Sequence, residues 1–409
     1  MAVMTSVNLR HLHTFGEVAR LGSVSAAARA VHISQPAVTQ AVAGVERYFG
    51  VSLLTRSNTG VALTAAGELC ARRIERSISH LRDAVAELTR SRNFDFDATR
   101  LMRWAHLHAL SAVVEHRNFS LAARAQHMSQ PSVHRAAREL ERLIGVQLFE
   151  KTSFGITPTR EAEKLARRAR LAFAEIAQAR AEVHALSGGE SGRTVIGAMP
   201  LARSFLVPTA LLEFTQQYPE HSVAIVEGTY EHLLASLRSG EADFLIGALR
   251  NPAPVADVVQ EHLFDDPLAI IVRAKHPLVS RKRVTVAALS KYPWIVPRAG
   301  TPLSAHFHEM FETTGLPAPT RAIECNSLIA TRALLLESDR IMLLSAHQIH
   351  YELEAGLLVA LPHPAGDVER PIGLTMRHDW HPTDSQRTLL EIVRRCSAKA
   401  ARLHAQHAR

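Results

Sequence analysis

Seven residues, Ser34-Gln35-Pro36-Ala37-Val38-Thr39-Gln40, return 95 positions later as Ser129-Gln130-Pro131-Ser132-Val133-His134-Arg135. Their chemistry is recognition rather than bond-making. A Gln amide offers a donor beside an acceptor, which matches the edge of adenine; an Arg fork matches guanine O6 and N7, or a phosphate. A Ser followed by Gln-Pro also opens a helix, because Ser caps it and Pro is tolerated in its first turn. The face left outward is Gln35, Pro36, Thr39 and Gln40 in the first copy. In the second it is Gln130, Pro131, His134 and Arg135, so the two faces suit different base sequences. Sixteen residues beyond Gln40 and Arg135 stand Arg56 and Lys151. Both are cations that suit a phosphate, though Lys lacks the planar fork.

The flanking residues supply what would hold such a face. Leu9, Leu12, Phe15, Val18 and Ala19 recur at helical spacing over 9–20, and Leu21-Gly22-Ser23 breaks the pattern. Ser25 is expected to cap a second helix through Val31, with His32-Ile33-Ser34 as the turn. The third helix buries Val38, Val42 and Val45 and stops at Gly50. Strands are expected at 51–54 and 60–64, with Arg56-Ser57-Asn58-Thr59 as the tip between them. This is a winged helix-turn-helix over 8–66. An apolar stripe from Leu69 to Leu88 extends a long helix over 67–92. Its arginines Arg72, Arg73, Arg76, Arg82, Arg90 and Arg92 are expected mostly on a solvated face. Asn93 to Asp97 reads as a tight turn. The pattern then repeats over 101–161, with a second long helix over 162–187. Between 12–67 and 107–162, 21 of 56 positions are identical without a gap, so the repeat is a duplication. Ala162 stands where the first copy has Gly67, which puts the start of the second long helix in doubt. The long helices could pair within one chain or between chains; the short join favours the first.

Charge follows the repeat. Residues 1–190 carry 25 Lys and Arg against 17 Asp and Glu, a net of +8, whereas 191–409 carry 22 of each. An anionic partner of the first half is the natural reading. Three isolated cysteines, Cys70, Cys325 and Cys396, make no disulfide framework, which suits a reducing cytoplasm. The first residues lack the apolar stretch of a signal peptide, and no run approaches the roughly 20 apolar residues of a membrane span. The pairs His11/His13, His106/His108 and His306/His308 have no third ligand at a familiar spacing, so surface or helix-end positions are expected rather than a metal. GxSxG, Walker, GxGxxG-after-strand and HExxH patterns are absent; neither catalysis nor a cofactor is expected.

After Ser187-Gly188-Gly189-Glu190-Ser191-Gly192, a hinge by composition, the period changes. Strands at 194–198, 223–227 and 242–247 alternate with helices at 204–217 and 230–239, which implies a parallel sheet covered by helices over 193–409. A second such unit runs from Tyr292 to Leu344, Pro371 to Met376 returns the chain to the first, and a last helix begins near Asp384. Ligands of such folds sit at the carboxyl ends of strands. That selects Pro200, Leu201, Arg203, Gly228, Thr229 and Ala248 from one lobe. The other lobe gives Pro297, Arg298, Gly300, Thr301, Asn326 and Ser327. Arg203 and Arg298 could pair with an acid.

These motifs resemble the LysR-type transcriptional regulators. In the first copy the match is Ser25-x-Ala27-Ala28, Ser34-Gln35-Pro36-Ala37-Val38, Glu46, Gly50-Val51-x-Leu53-Leu54-x-Arg56 and Leu63-Thr64-x-x-Gly67. Farther on it is Tyr218-Pro219, Val226-Glu227-Gly228, Leu237-Arg238-Ser239-Gly240-Glu241-Ala242-Asp243, His276-Pro277-Leu278 and Tyr292-Pro293-Trp294. The resemblance implies promoter DNA as partner, and an α/β, periplasmic-binding-protein-like effector domain of two lobes. The effector would be a small molecule, a sugar or an aromatic acid, held between the lobes. It also implies linker helices that bring two heads together, a homo-oligomer, and RNA polymerase as a partner if the protein activates. A second head departs from the family's pattern. The competing reading is a solute-binding-like module in which one or both helix-turn-helix copies serve only dimerisation.

Overall fold

The computed structural model describes residues 7–57, 60–90, 97–153, 155–189 and 192–407. The chain falls into two units, the first running to Arg193 and including Ser239–Glu241, the second holding Thr194–Arg238 and the chain from Ala242 on.

The first unit runs through one string of elements twice. Helices α1 (Leu9–Leu21), α2 (Val24–Ala30) and α3 (Gln35–Phe49) lead to a hairpin, β1 (Leu54–Ser57) and β2 (Gly60–Leu63), and then to the long α4 (Ala65–Thr89). A 3-10 turn, Ala98–Leu101, precedes α5 (Trp104–His116), α6 (Phe119–Ala125) and α7 (Gln130–Ile144). The hairpin β3 (Phe149–Thr152) and β4 (Gly155–Pro158) and the long α8 (Arg160–Leu186) follow. Side-chain caps set the starts: Ser34 on Ala37 N–H and Thr64 on Gly67 N–H in the first string, Ser129 and Thr159 in the second. Leu12, Phe15, Val18, Val38 and Val45 are fully buried with their counterparts Leu107, Leu110, Val113, Val133 and Leu140, in one core shared by both strings.

Several expectations need correction. Ser23, not Ser25, caps α2, accepting from Ala26 N–H, with Asn118 in that role for α6. The hairpin starts three residues later than expected, because Glu46 Oε1 takes the Leu53 and Leu54 N–H groups at 2.8 and 3.4 Å. Glu141 does the same for Leu148 and Phe149 at 2.9 and 3.1 Å. Arg56 therefore lies within β1, opposite Val61, rather than in the tip. Asn58 and Thr59 of the expected tip, Arg92, residues 93–96 of the expected turn, and Glu190 and Ser191 of the hinge lie outside the described residues. The long helices span 65–89 and 160–186, and Ala162 is fully buried at the start of the second without disturbing its Thr159 cap. His106 stands at a helix end, as expected, but is buried against Glu139, and His108 is half-buried, stacked on Phe173 at 4.3 Å rather than on the surface.

The second unit begins with β5 (Gly192–Ala198), α9 (Pro200–Ser204), α10 (Leu206–Gln217), β6 (His221–Val226), α11 (Tyr230–Ser239) and β7 (Phe244–Ala248). A long strand, β8 (Val258–Arg273), leads to α12 (Val286–Leu289), β9 (Trp294–Val296), α13 (Pro302–Glu312), β10 (Ala322–Glu324), α14 (Leu328–Leu336) and β11 (Ile341–Ser345). After the 3-10 turn Ala346–Ile349 come α15 (His350–Glu354), β12 (Leu358–Leu361), β13 (Glu369–Arg377) and α16 (Asp384–His407). The strand order is β10-β9-β11-β8-β13-β7-β5-β6, with β12 also on β8. Strands β5 and β7 run parallel, as do β9 with β10 and β11. The sheet is nonetheless mixed rather than parallel, because β8 and β13 run antiparallel to their neighbours and join the two lobes. Separate cores fill the lobes, one around Trp294, Phe307 and Phe311, the other around Phe214, Phe244 and Leu389.

Candidate nucleic-acid interface

Each recognition helix turns its apolar residues inward and its polar start outward. Val38 and Val45 are fully buried, while Gln35, Pro36, Thr39 and Gln40 are exposed together on the first turns of α3. Thr39 Oγ1 donates to the Gln35 carbonyl at 3.1 Å, which keeps its lone pairs outward. On α7 the exposed set is Gln130, Pro131, His134 and Arg135. The His134 ring leans edge-on against Phe119 at 5.1 Å, which leaves Arg135 as the freer of the two. Lys151 is exposed in β3 opposite Ile156, the register position that Arg56 holds opposite Val61. The two hairpins thus carry a cationic residue at the same register position.

The two strings meet through their long helices. Contacts pair residue 73 with 175 and 182, 77 with 172, and 87 with 164, so α4 and α8 run antiparallel. Arg73, expected on a solvated face, is buried here. Its guanidinium donates to Glu175 at 2.9 Å, to Glu182 at 2.9 and 2.7 Å, and to Gln178 at 2.8 Å. Arg76 adds a hydrogen bond to Glu175 at 3.0 Å. Burial alone would raise the Glu175 carboxyl, but His80, Arg76 and Arg73 outweigh it and hold it down to about 2.

Positions 95 apart show that this packing is self-complementary. The Arg73–Glu175 contact answers to one between Arg168 and His80 at 3.4 Å. Arg73–Glu182 answers to the pull of Arg168 on Glu87, whose carboxyl is held low first by Lys164 and then by Arg168. Ser77 Oγ donates at 2.9 Å to the carbonyl of Ala172, its own counterpart. A local two-fold axis passes there, the geometry of an isologous interface between two like subunits, here formed within one chain.

In the second unit the residues selected by strand ends divide. Leu201 is core, and Pro297 is buried; neither is open to a ligand. Ala248 is half-buried, while Pro200, Gly228, Thr229, Arg298, Gly300, Asn326 and Ser327 are exposed and Thr301 is half-buried. Thr229, Thr301 and Ser327 spend their hydroxyls on the first turns of α11, α13 and α14. Arg203 is ion-paired with Glu227 and so is not a free cation. Two residues that strand-end logic missed lie beside this set. Arg250, just past β7, sits over the Tyr230 ring at 4.6 Å, and the Tyr230 hydroxyl is buried without a hydrogen-bond partner among the described residues. The Glu231 carboxyl is held low by its own backbone N–H, by Thr229, and then by Arg250 and Arg298. One carboxylate therefore feels an arginine from each lobe. Deeper between the lobes, fully buried Asp266 of β8 accepts from Ser345 Oγ, His347 Nδ1 and Arg370 Nε at 2.5–2.9 Å. That knot ties β8, β11 and β13 where the lobes join.

Among the described residues no group of three His, Cys, Asp or Glu side chains is placed to hold a metal, and no helix is long and apolar enough to cross a membrane.

Comparison with known proteins agrees with this anatomy. The model of bacterial regulatory helix-turn-helix proteins of the lysR family matches twice, at 9–68 and 104–163, and that of the LysR substrate binding domain matches 187–397. The transcriptional regulator GalR of Pseudomonas putida is 33% identical over 398 residues, 96% of this chain and 98% of its own. The transcriptional regulator PcaQ of Agrobacterium fabrum is 30% identical and is covered to 96% of its length by only 73% of this chain. Among solved structures, full-length OxyR of Pseudomonas aeruginosa shares the fold at a TM-score of 0.53 and 22% identity, over 72% of this chain and 94% of that one. The LysR-family regulator CbnR does so at 0.50 and 20%, over 72% and 99%.

Proposed function

Because the chain belongs to the LysR family of bacterial transcriptional regulators, binding DNA through its helix-turn-helix and an effector through its C-terminal domain, we propose that a single chain is a two-headed reader of an asymmetric operator. The observation that carries this is the two-fold packing of α4 on α8 within one chain. It supplies internally what two chains would otherwise supply by pairing their linkers. The length relation supports it too, since GalR matches across both heads whereas PcaQ is spanned by about three-quarters of this chain. Gln35, Pro36, Thr39, Gln40 and Arg56 read or flank one half-site; Gln130, Pro131, His134, Arg135 and Lys151 take the other. Work on DNA places the protein in the cytoplasm. If it activates, RNA polymerase is a further partner. Any homo-oligomer then needs fewer chains than heads.

Footprinting on the DNA upstream of the protein's own gene tests this, comparing the wild type with Gln40→Ala and Arg135→Ala. Each loses a base contact worth about 1–3 kcal/mol, and each should weaken protection over a different half of the site. If both substitutions weaken the same half, or Arg135→Ala changes nothing, the second head is architectural and the two-headed reading falls.

We further propose that the effector is an anion, with aromatic acids favoured over neutral sugars. Arg250 and Arg298 have no carboxylate ion-paired to them among the described residues, and Tyr230, beneath Arg250, offers a ring and a hydroxyl without a hydrogen-bond partner among the described residues. Arg203, held by Glu227, is assigned a positioning part only. A titration of small acids followed by tryptophan fluorescence checks this. Arg250→Gln should raise the Kd for an acid by about tenfold, the loss of one charged hydrogen bond, and leave a neutral sugar unaffected.

A further inference from the structure

A cleft of about 570 Å³ opens on the first head between α2 and the start of α3, lined by Ser25, Ala28, Arg29, His32, Ile33, Ser34 and Gln35. Five of these are polar, and all five recur in the second head as Ser120, Arg124, His127, Ser129 and Gln130. The recurrence exceeds the overall level between the copies, where fewer than half of the positions agree. Structure accounts for Ser34 and Ser129, which cap α3 and α7. It does not account for Arg29 and Arg124. Both are exposed, and neither makes an ion pair or a side-chain hydrogen bond among the described residues.

The histidines add a second observation. His32 and His127 have φ of 55° and 52°, the left-handed region that non-glycine residues adopt at a cost. Other turns of this kind fall on Gly22, Gly50 and Gly145, and on Arg117 at φ 49°, the counterpart of Gly22. A turn that tolerates a strained histidine twice, with the ring exposed beside an unpaired arginine, points to a contact the ring makes. In helix-turn-helix docking the first helix of the motif crosses the backbone while the second enters the major groove. Ser25 and Arg29 lie one turn apart on that first helix, and His32 follows its end. The cleft is therefore placed over the sugar-phosphate chain, not the bases.

We infer that Arg29 with His32, and Arg124 with His127, form a phosphate clamp on each head that grips the DNA backbone beside the recognition helix. The inference rests on the DNA-binding reading but not on the operator, because phosphates are the same in every sequence. Arg29 and Arg124 supply the charge, the histidine ring and the Ser25 or Ser120 hydroxyl supply donors, and the positive end of α3 or α7 faces the same anion.

The test uses the full chain and a random-sequence duplex of about 40 base pairs, titrated by fluorescence anisotropy between roughly 50 and 200 mM salt. Replacing both arginines, Arg29→Gln with Arg124→Gln, should lower the slope of log K against log salt by about 1.8, or 0.9 for each phosphate released. The pair His32→Gly with His127→Gly keeps the turns, so thermal unfolding should stay level or rise while duplex affinity falls severalfold. If the wild type binds and both double variants bind with its slope and affinity, the clamp is wrong and the DNA reading stands. If the wild type binds no duplex even at the lowest salt, both fall.

Discussion

Arg73→Ala should open the seam between the two long helices. The guanidinium it removes is buried between Glu175 and Glu182, themselves only 7% and 18% exposed at the side chain. Removing one partner of a buried ion set strands the others, which costs about 3–5 kcal/mol. Cys70 reports on it. This thiol is fully buried on α4, and burial, followed by the charge of Glu182, pushes it up to about 12. Alkylation of Cys70, mapped by mass spectrometry, therefore waits for the helices to part, and should accelerate on the order of 100-fold or more in the variant. Removing Arg73 together with both of its carboxylates has the opposite expectation, because Arg76, a quarter exposed, can turn to water. Arg73→Met with Glu175→Leu and Glu182→Leu leaves no carboxylate stranded and should return the rate close to that of the wild type. If the single variant leaves Cys70 protected, the seam is held by its apolar residues and the ion set is incidental.

Acid should act on the same seam. The Glu175 carboxyl lies at about 2 in the fold against an ordinary 4.5. A depressed carboxylate stabilises the folded state above its unfolded value, and that contribution is lost as pH falls from about 4.5 towards 2; its size is on the order of 3 kcal/mol. His13 works in the same sense. Burial lowers it to about 4, so the unfolded chain takes up the proton first, between about 6.5 and 4.

Arg73 also marks where reading a sequence stops. Its helix was legible from the spacing of Leu69, Ile74, Ile78 and Leu81, but its burial was not, because its partners lie 102 and 109 residues away. Nothing near Arg73 distinguishes it from Arg72. The recognition faces were legible for the converse reason. Ser34, Gln35 and Pro36 act within one turn, and the buried valines fix which side of α3 looks outward. Strand β8 was missed because Asp265-Asp266-Pro267 interrupts its apolar run; Asp266 is tolerated in the core only because Ser345 of β11, His347 of the 3-10 turn after it and Arg370 of β13 come to it from far along the chain. The hairpins were set too early because Glu46 and Glu141 reach seven and eight residues ahead for N–H groups that a strand would otherwise use. Local rules place caps and faces. Charges that pair across a hundred residues lie beyond them.

Gly67→Ala should show how far the two heads have diverged. A Cβ on Gly67 would lie 2.0 Å from the Leu53 carbonyl oxygen and 3.2 Å from Leu63 Cδ2. That oxygen is already held by Thr64 N–H at 3.0 Å, at the corner where β2 turns into α4. The backbone must move, so the substitution should destabilise the first head by about 3 kcal/mol, the upper end of overpacking costs. The second head carries a methyl at this very position. Ala162 is fully buried, and Thr159 N–H still reaches the Leu148 carbonyl at 2.9 Å. The reverse change, Ala162→Gly, gains no space that the fold needs and loses a good helix former, a cost of about 1 kcal/mol. Urea unfolding followed by Cys70 alkylation compares the two. A large loss at 67 with a small one at 162 means that each hairpin is set against its long helix by its own spacing, so wing and recognition helix are aimed differently in the two heads. Equal tolerance would mean that the first hairpin can take up the spacing of the second; the heads would then differ only in the side chains they present, and the pairs Thr39/His134, Gln40/Arg135 and Arg56/Lys151 would have to carry the asymmetry of the proposed operator.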